Sequence, residues 1–273
     1  YQHDHIVHFY HLHALDWVDI VSALSADPVK TAKLSENVSG RPQKADYFKE
    51  IQTKLKTFVN SGQLGPFNNA YWGHSAYQLP AEANLMAASH YLEGIKLQAK
   101  AARMHAIFGG KNPHPQSLVV GGVTSVGDLT PERISEFVDI WKETKAFVDE
   151  VYIPDLLAVA SFYKDWGGIG GNNDLFVAYG DFPQKGINDG LLMPSGVLSD
   201  DLKLSALDVG KITEDITRGW YEPGAPKHPY HGETRPVKGE TTYDTDNQYS
   251  WMKAPRYNGS AAEVGPLARV LVA

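Results

Sequence analysis

The chain has 273 residues, 42% of them apolar and 21% charged, with a formal net charge of −7 and no cysteine. That length suits one large domain or two ordinary ones, and it buries enough surface to fold without a staple. The lack of cysteine excludes a disulfide framework, a thiolate zinc site, cysteine-ligated iron–sulfur and a cysteine nucleophile within these residues, and the acidic balance argues against nucleic acid and anionic membrane as partners.

No run approaches the roughly 18 apolar residues of a transmembrane helix. No charged-then-apolar leader opens the chain. Eleven His and six Trp are high for this length, and both types favour sites and buried interfaces. Neither end carries the Ser, Asp, Gly or Pro that normally announces the limit of an element. The chain therefore reads as a piece of a longer polypeptide, with a processed or disordered terminus as the alternative.

Tyr1 to Leu24 reads as a buried helix, because apolar residues from Ile6 and Phe9 to Ile20 and Leu24 wrap around more than one face. Asp27-Pro28 stops it. Ala45 to Val59 is a second helix, with Phe48, Ile51, Leu55 and Phe58 on one stripe and Ser61-Gly62 at its end. Gly65-Pro66-Phe67 through Gly73 is an aromatic loop. Pro80 precedes a long helix, Ala81 to Phe108, ended by Gly109-Gly110.

Lys111 to Asp128 is broken by Pro and Gly and holds one apolar run, Leu118-Val119-Val120. Thr130-Pro131 is a cap plus first-turn proline for a helix to about Tyr152, and Pro154 begins another to about Tyr163. From Gly167 to about Ser199, Gly, Asn, Asp and Pro dominate, with short β-type pieces such as Leu175-Phe176-Val177. Val209 to Tyr221 reads as a helix, Pro223 to Gln248 as loop, and Val264 to Ala273 as a truncated apolar element. The expected fold is mainly α with irregular β and loop additions. It forms a single domain with a helical core over about 1–165 and a loop-rich α+β part over about 166–273. Loops this long are usually functional or interface-forming.

The first helix carries His3-Asp4-His5, His8, His11 and His13. Histidines at i and i+3 or i+4 share a face and could chelate a metal, but the metalloprotease spacing with Glu after the first His is absent. They serve equally well as backbone partners in a packed bundle. A carboxylate such as Asp4 on a buried helix must be paired, hydrogen-bonded or proton-active. The alternative is a solvated carboxylate near a helix N-terminus.

Gly109 through Pro115 is not a phosphate loop, since the glycine spacing is wrong and no Ser or Thr follows Lys111. It holds His114 between two prolines, as an oriented donor, a proton carrier or a turn-stabilising residue. Gly121-Gly122 and Gly167 to Gly171 lack a strand-to-helix setting for a dinucleotide. Trp251 through Tyr257 puts Lys253 and Arg256 among aromatics, with Glu263 following. That cluster suits an anion, a carboxylate network or a structural salt-bridge corner.

Taken together, these segments resemble the large subunit of the nickel–iron hydrogenases. The matching residues are His3-Asp4-His5 with His8 to Leu12 and Asp16; Gly65-Pro66-Phe67 and Tyr71-Trp72-Gly73; Leu79 through Leu85; Phe108 through Pro115; Gly121 through Thr124; Tyr249 through Tyr257; and Glu263 through Leu267. They occur in family order along essentially the whole chain. The detail is similar to the membrane-associated uptake class, which passes electrons towards quinone or cytochrome.

The resemblance implies a long-helix bundle around a nickel–iron centre with carbon monoxide and cyanide on the iron, bound by two Cys-x-x-Cys pairs. Both pairs would lie outside these 273 residues, so no metal ligand is expected within the chain. It also implies a role for Asp4 as the carboxylate over the metal pair, relaying a proton, with His8 beside it. His114 matches the histidine that approaches the nearest iron–sulfur cluster of the small subunit. Lys253 and Glu263 would join a polar network near a magnesium region. The implied partners are the iron–sulfur small subunit and a membrane cytochrome b or quinone-linked subunit. The implied location is the periplasmic side of the membrane, held there peripherally by the partner. The competing classes are a non-catalytic scaffold derived from this fold and the related quinone-reducing subunit of respiratory complex I.

Overall fold

The computed structural model describes residues 2–170, 174–184, 190–237 and 247–273, without the side chain of Asp128. The chain divides into two compact units, Tyr1–Gly167 and Gly168–Ala273.

The first unit is helical. Its opening segment is α1 (Gln2–Ile6), then a π-helical stretch over Val7–Leu12, then 3₁₀ turns at His13–Asp16 and Ser22–Ser25. The burial expected of this segment holds: Ile6, Tyr10, Ala14, Val18 and Ile20 are all fully buried. The single regular helix expected over it does not form. One reason is Asp19, whose carboxylate accepts from the Val21 and Ser22 N–H groups at 2.9 Å each and so opens a new turn.

Next come α2 (Pro28–Val38) and α3 (Ala45–Ser61). Asp27 caps α2 by accepting from Val29 N at 2.8 Å, with Pro28 in the first turn. Asp27-Pro28 is thus a start signal as well as the expected stop. Helix α3 buries Phe48, Ile51 and Leu55 as its stripe predicts, and ends at Gly62 with φ of 68°.

Helix α4 (Ala81–Gly109) runs for 29 residues and closes on Gly110 at φ of 79°. Its residues Asn84 to His90 are buried all round, so it is the central element of the unit. A two-stranded turn, β1 (Leu118–Val119) with β2 (Gly122–Val123), separates it from α5 (Pro131–Phe147). Thr130 caps α5, accepting from Arg133 N. A π turn at Val148–Tyr152 joins α5 to α6 (Ile153–Phe162). Pro154 has no N–H for the Glu150 carbonyl four residues earlier. That carbonyl instead accepts from Gly40 N at 2.7 Å.

The second unit holds β3 (Phe176–Ala178), β4 (Asp181–Pro183), β5 (Leu191–Met193), β6 (Gly196–Leu198), β7 (Leu204–Ser205), β8 (Ile212–Asp215), β9 (Ala254–Tyr257) and α7 (Pro266–Val272). The strands pair antiparallel as β3–β6–β7, β4–β5 and β8–β9, and β3 adds a parallel bridge from Phe176 to Glu263. Val272 of α7 packs with Ala178 and Leu198 as a small core.

The helix expected over Val209 to Tyr221 is corrected here. Val209–Lys211 is one 3₁₀ turn, and Ile212 onward is strand β8, with Ile212 opposite Tyr257. The partner strand lies about forty residues away in sequence, so local pattern could not reveal it. Gly171, and residues 238–246 of the expected loop, lie outside the described residues. No helix of the described residues is long and apolar enough to cross a membrane.

Candidate functional site

Asp4 and His8 stand one helical turn apart on the opening segment. His8 Nδ1 lies 2.8 Å from the Asp4 carbonyl oxygen and 3.3 Å from its carboxylate. Both side chains are exposed, at 65% for Asp4 and 50% for His8. The carboxylate is therefore presented at the surface of this unit, free to meet whatever covers that face. His3, beside it, stacks at a tilt 6.0 Å from His105 of α4, and burial followed by the nearness of His105 holds its pKa below the usual histidine value.

The buried side of the same segment is fastened by polar contacts that sequence reasoning did not single out. The Tyr10 hydroxyl donates to Asp155 Oδ2 at 2.9 Å, and His90 Nδ1 lies 2.7 Å from the same oxygen. Asp155 and His90 are 3% and 2% exposed. Burial, then the Asp155 carboxylate, pushes the Tyr10 phenol well above its usual pKa, so it stays a donor. Asp155 Oδ1 is buried with no hydrogen-bond partner among the described residues. The sequence signal that could have flagged this cluster was weak: a lone Asp after Pro154 and a lone His within an apolar stretch of α4.

A second buried carboxylate, Asp19, ties three segments together. Its Oδ1 takes the Val21 and Ser22 N–H groups, and Oδ2 takes Gly73 N at 3.0 Å from the aromatic loop. Its own N–H donates to Asn84 Oδ1 at 2.9 Å, and Asn84 Nδ2 returns a bond to Leu79 O at 3.0 Å. The aromatic loop is thus pinned to the first turn of α4.

His114 lies on the loop that leaves the C-terminus of α4, and it is exposed. The loop is tethered at both sides of it. Asn112 Nδ2 is 2.7 Å from His105 Nδ1, and Gln116 N donates to Gly109 O at 2.7 Å. Beyond it, Leu118, Val119 and Val120 are exposed at 69%, 50% and 107%. This short apolar run forms strand β1 and the turn after it, at the surface of the unit.

In the second unit Lys253 is half-buried. Its ammonium sits 3.5 Å from Glu214 Oε2 and 5.6 Å from the Tyr221 ring centre. These groups line a polar recess of about 340 Å³ with Lys227, His231 and Arg235. Glu263, which the resemblance puts in the same polar network, makes backbone contacts beside β3: its N–H donates to Leu175 O, and its carbonyl accepts from Val177 N. The carboxylate that pairs with Lys253 is therefore Glu214, delivered by β8, the strand that the sequence pattern mistook for helix.

Nickel prefers thiolate ligands, and this chain contains none. Among the described residues no group of three or more His, Asp or Glu stands together to hold a metal ion. The residues present do not fit a nickel–iron centre, and no step at such a centre follows from their geometry. What they offer is an exposed carboxylate–histidine pair, an exposed, tethered histidine, and a lysine–glutamate pair in a polar recess.

A family profile described as nickel-dependent hydrogenase matches residues 1–273. The uptake hydrogenase large subunit of Rhizobium leguminosarum bv. viciae is 47% identical over 99% of this chain and 51% of its own length. The quinone-reactive Ni/Fe-hydrogenase large chain of Wolinella succinogenes is 40% identical over 99% and 50%. The Ni-Fe-Se hydrogenase of D. vulgaris Hildenborough superposes with a TM-score of 0.72 at 28% identity, over 99% of this chain and 46% of that one. The chain spans about half the length of the curated relatives it matches. The profile covers every residue, and the chain belongs to the nickel-dependent hydrogenase family.

Proposed function

We propose that this chain is the central part of the large subunit of a membrane-associated uptake hydrogenase, which oxidises H₂ to protons and electrons. The observation that carries the reading is the similarity to uptake large subunits along 99% of the chain. In this reading its helices belong to the long-helix bundle of such subunits. The nickel–iron centre, with its carbon monoxide and cyanide ligands, is held by cysteines outside these residues.

The roles that the family resemblance implies for the site residues are supported by their placement. Asp4, exposed and backed by His8, accepts and passes on a proton. A carboxylate with a histidine one turn away, its ring 3.3 Å off, is a suitable carrier. His114, exposed on its tethered loop, faces the iron–sulfur small subunit and donates towards the nearest cluster, where a donor stabilises added electron charge. The exposed apolar residues from Leu118 to Val120 belong to the same covered face. Lys253, paired with Glu214, and Glu263 belong to a polar network near a magnesium region of the complete enzyme. Electrons leave towards a cytochrome b or quinone-linked partner, a reading supported by the quinone-reactive relative, and the enzyme works peripherally at the periplasmic side of the membrane.

The test is Asp4→Ala in the complete heterodimeric enzyme. Turnover with H₂ should fall by on the order of a hundredfold, within the range for loss of a positioned proton carrier, while nickel and iron contents stay at wild-type levels. Undiminished H₂ oxidation at full metal content would remove Asp4 from the reaction.

A further inference from the structure

The π turn at Val7–Leu12 and the π turn at Val148–Tyr152 meet at one crossing. Phe9 and Tyr10 from the first stand edge-on or tilted to Tyr152 and Phe147 from the second helix, at 5.0 to 6.1 Å between ring centres. A π turn adds a residue to the helical repeat and rotates everything beyond it, and such turns occur mostly as single insertions at functional sites. Something must hold two of them in register against relaxation to the ordinary α-helical repeat. At this crossing the Tyr10 hydroxyl and the His90 ring converge on a single oxygen of Asp155. Asp155 follows the second π turn directly, and His90 comes from the central helix α4.

Asp155 is poorly arranged for stability alone. One carboxylate oxygen takes both contacts, and the other is buried with no partner among the described residues. An unsatisfied buried carboxylate oxygen is costly, and native proteins retain such groups where they serve a purpose beyond stability. The Tyr10 hydroxyl is six residues beyond Asp4 on the same segment, so the register fixed at Tyr10 also fixes where Asp4 and His8 point.

We propose that the Tyr10–Asp155–His90 cluster is a register clamp that positions Asp4 for its part in the reaction. None of the three touches the reacting atoms; each acts through Asp4. The inference rests on the proton-carrier role proposed for Asp4.

The test is a double-mutant cycle in the heterodimeric enzyme, with turnover expressed per bound nickel and the thermal midpoint measured in parallel. Tyr10→Phe and Asp155→Asn should each lower kcat by on the order of tenfold, because small misplacements of a catalytic group cost that much or more. In an Asp4→Ala background neither should lower it further. A kcat loss that multiplies with that of Asp4→Ala would overturn the clamp, and so would a lowered midpoint with kcat per nickel unchanged. Full turnover in Asp4→Ala alone would refute the carrier role and the clamp with it. Loss of turnover in Asp4→Ala with none in Tyr10→Phe and Asp155→Asn would refute the clamp alone.

Discussion

Replacing Asp19 by alanine tests how much the buried polar contacts hold the first unit together. The substitution strips an acceptor from three backbone N–H groups: Val21 and Ser22 at 2.9 Å and Gly73 at 3.0 Å. All three are part-buried, so each loses a hydrogen bond that water replaces poorly. At about 1–3 kcal/mol per orphaned donor, and nearer the lower end for part-buried groups, the sum is about 3–5 kcal/mol. That is a large share of the ~5–15 kcal/mol that separates a folded domain from its unfolded chain. The Asp19 N–H bond to Asn84 comes from the backbone and survives the change. Asp19→Asn keeps one acceptor oxygen and turns its amide against the remaining donors, so it should cost about half as much. Urea unfolding of the subunit at pH 7, followed by tryptophan fluorescence, measures both. A loss below about 1 kcal/mol for Asp19→Ala would refute the argument, because it would mean that water satisfies these donors as well as the carboxylate does.

Gly40→Ala should destabilise by about 1–3 kcal/mol, the usual cost of overpacking: the added Cβ would stand 2.9 Å from Glu150 Cα, beside the bond from Gly40 N to Glu150 O, and a denaturation midpoint equal to wild type would count against that close approach. His114→Ala in the heterodimer should lower the potential of the nearest cluster by on the order of 60 mV, a tenfold change in a one-electron equilibrium, and an unchanged redox titration would sink the proposed donor role. Burial and then His3 hold the His11 pKa below the ordinary histidine value, and its Nε2 has no partner among the described residues. The folded state therefore binds a proton less readily than the unfolded chain. This makes stability level above about pH 6.5 and declining as the pH falls below it. His11→Gln should flatten that decline in unfolding curves between pH 5.5 and 7.5, and a slope identical to wild type would refute the assignment.

The elements that local chemistry can specify were legible. Helix α3 has its stripe and its closing glycine, α4 its apolar run between Pro80 and Gly110, and α5 its Thr130-Pro131 start. Helix α2 was missed although Asp27-Pro28 is the same kind of signal, because a cap between two helices both ends one and begins the next. Strand β8 was misread as helix because its register depends on β9, which is remote in sequence. The sequence also pointed to Asp4, His8, His114 and Lys253 as polar residues in unusual local settings. It gave no sign of Glu214, which reaches Lys253 only through strand β8.

Composition and motif order determined the family and the absence of thiolates, because both are properties of residue identity alone. Apolar spacing determined that the opening segment is buried, because burial periodicity survives in one dimension. Tertiary structure decided the rest. It broke the opening helix into π and 3₁₀ turns, since Asp19 and Tyr10 bond to groups from other elements. It brought Asp155 under Tyr10 across 145 residues and Glu214 to Lys253 across a strand pair. Such contacts cost loop-closure entropy that only the assembled core offsets, so no local pattern carries their signature.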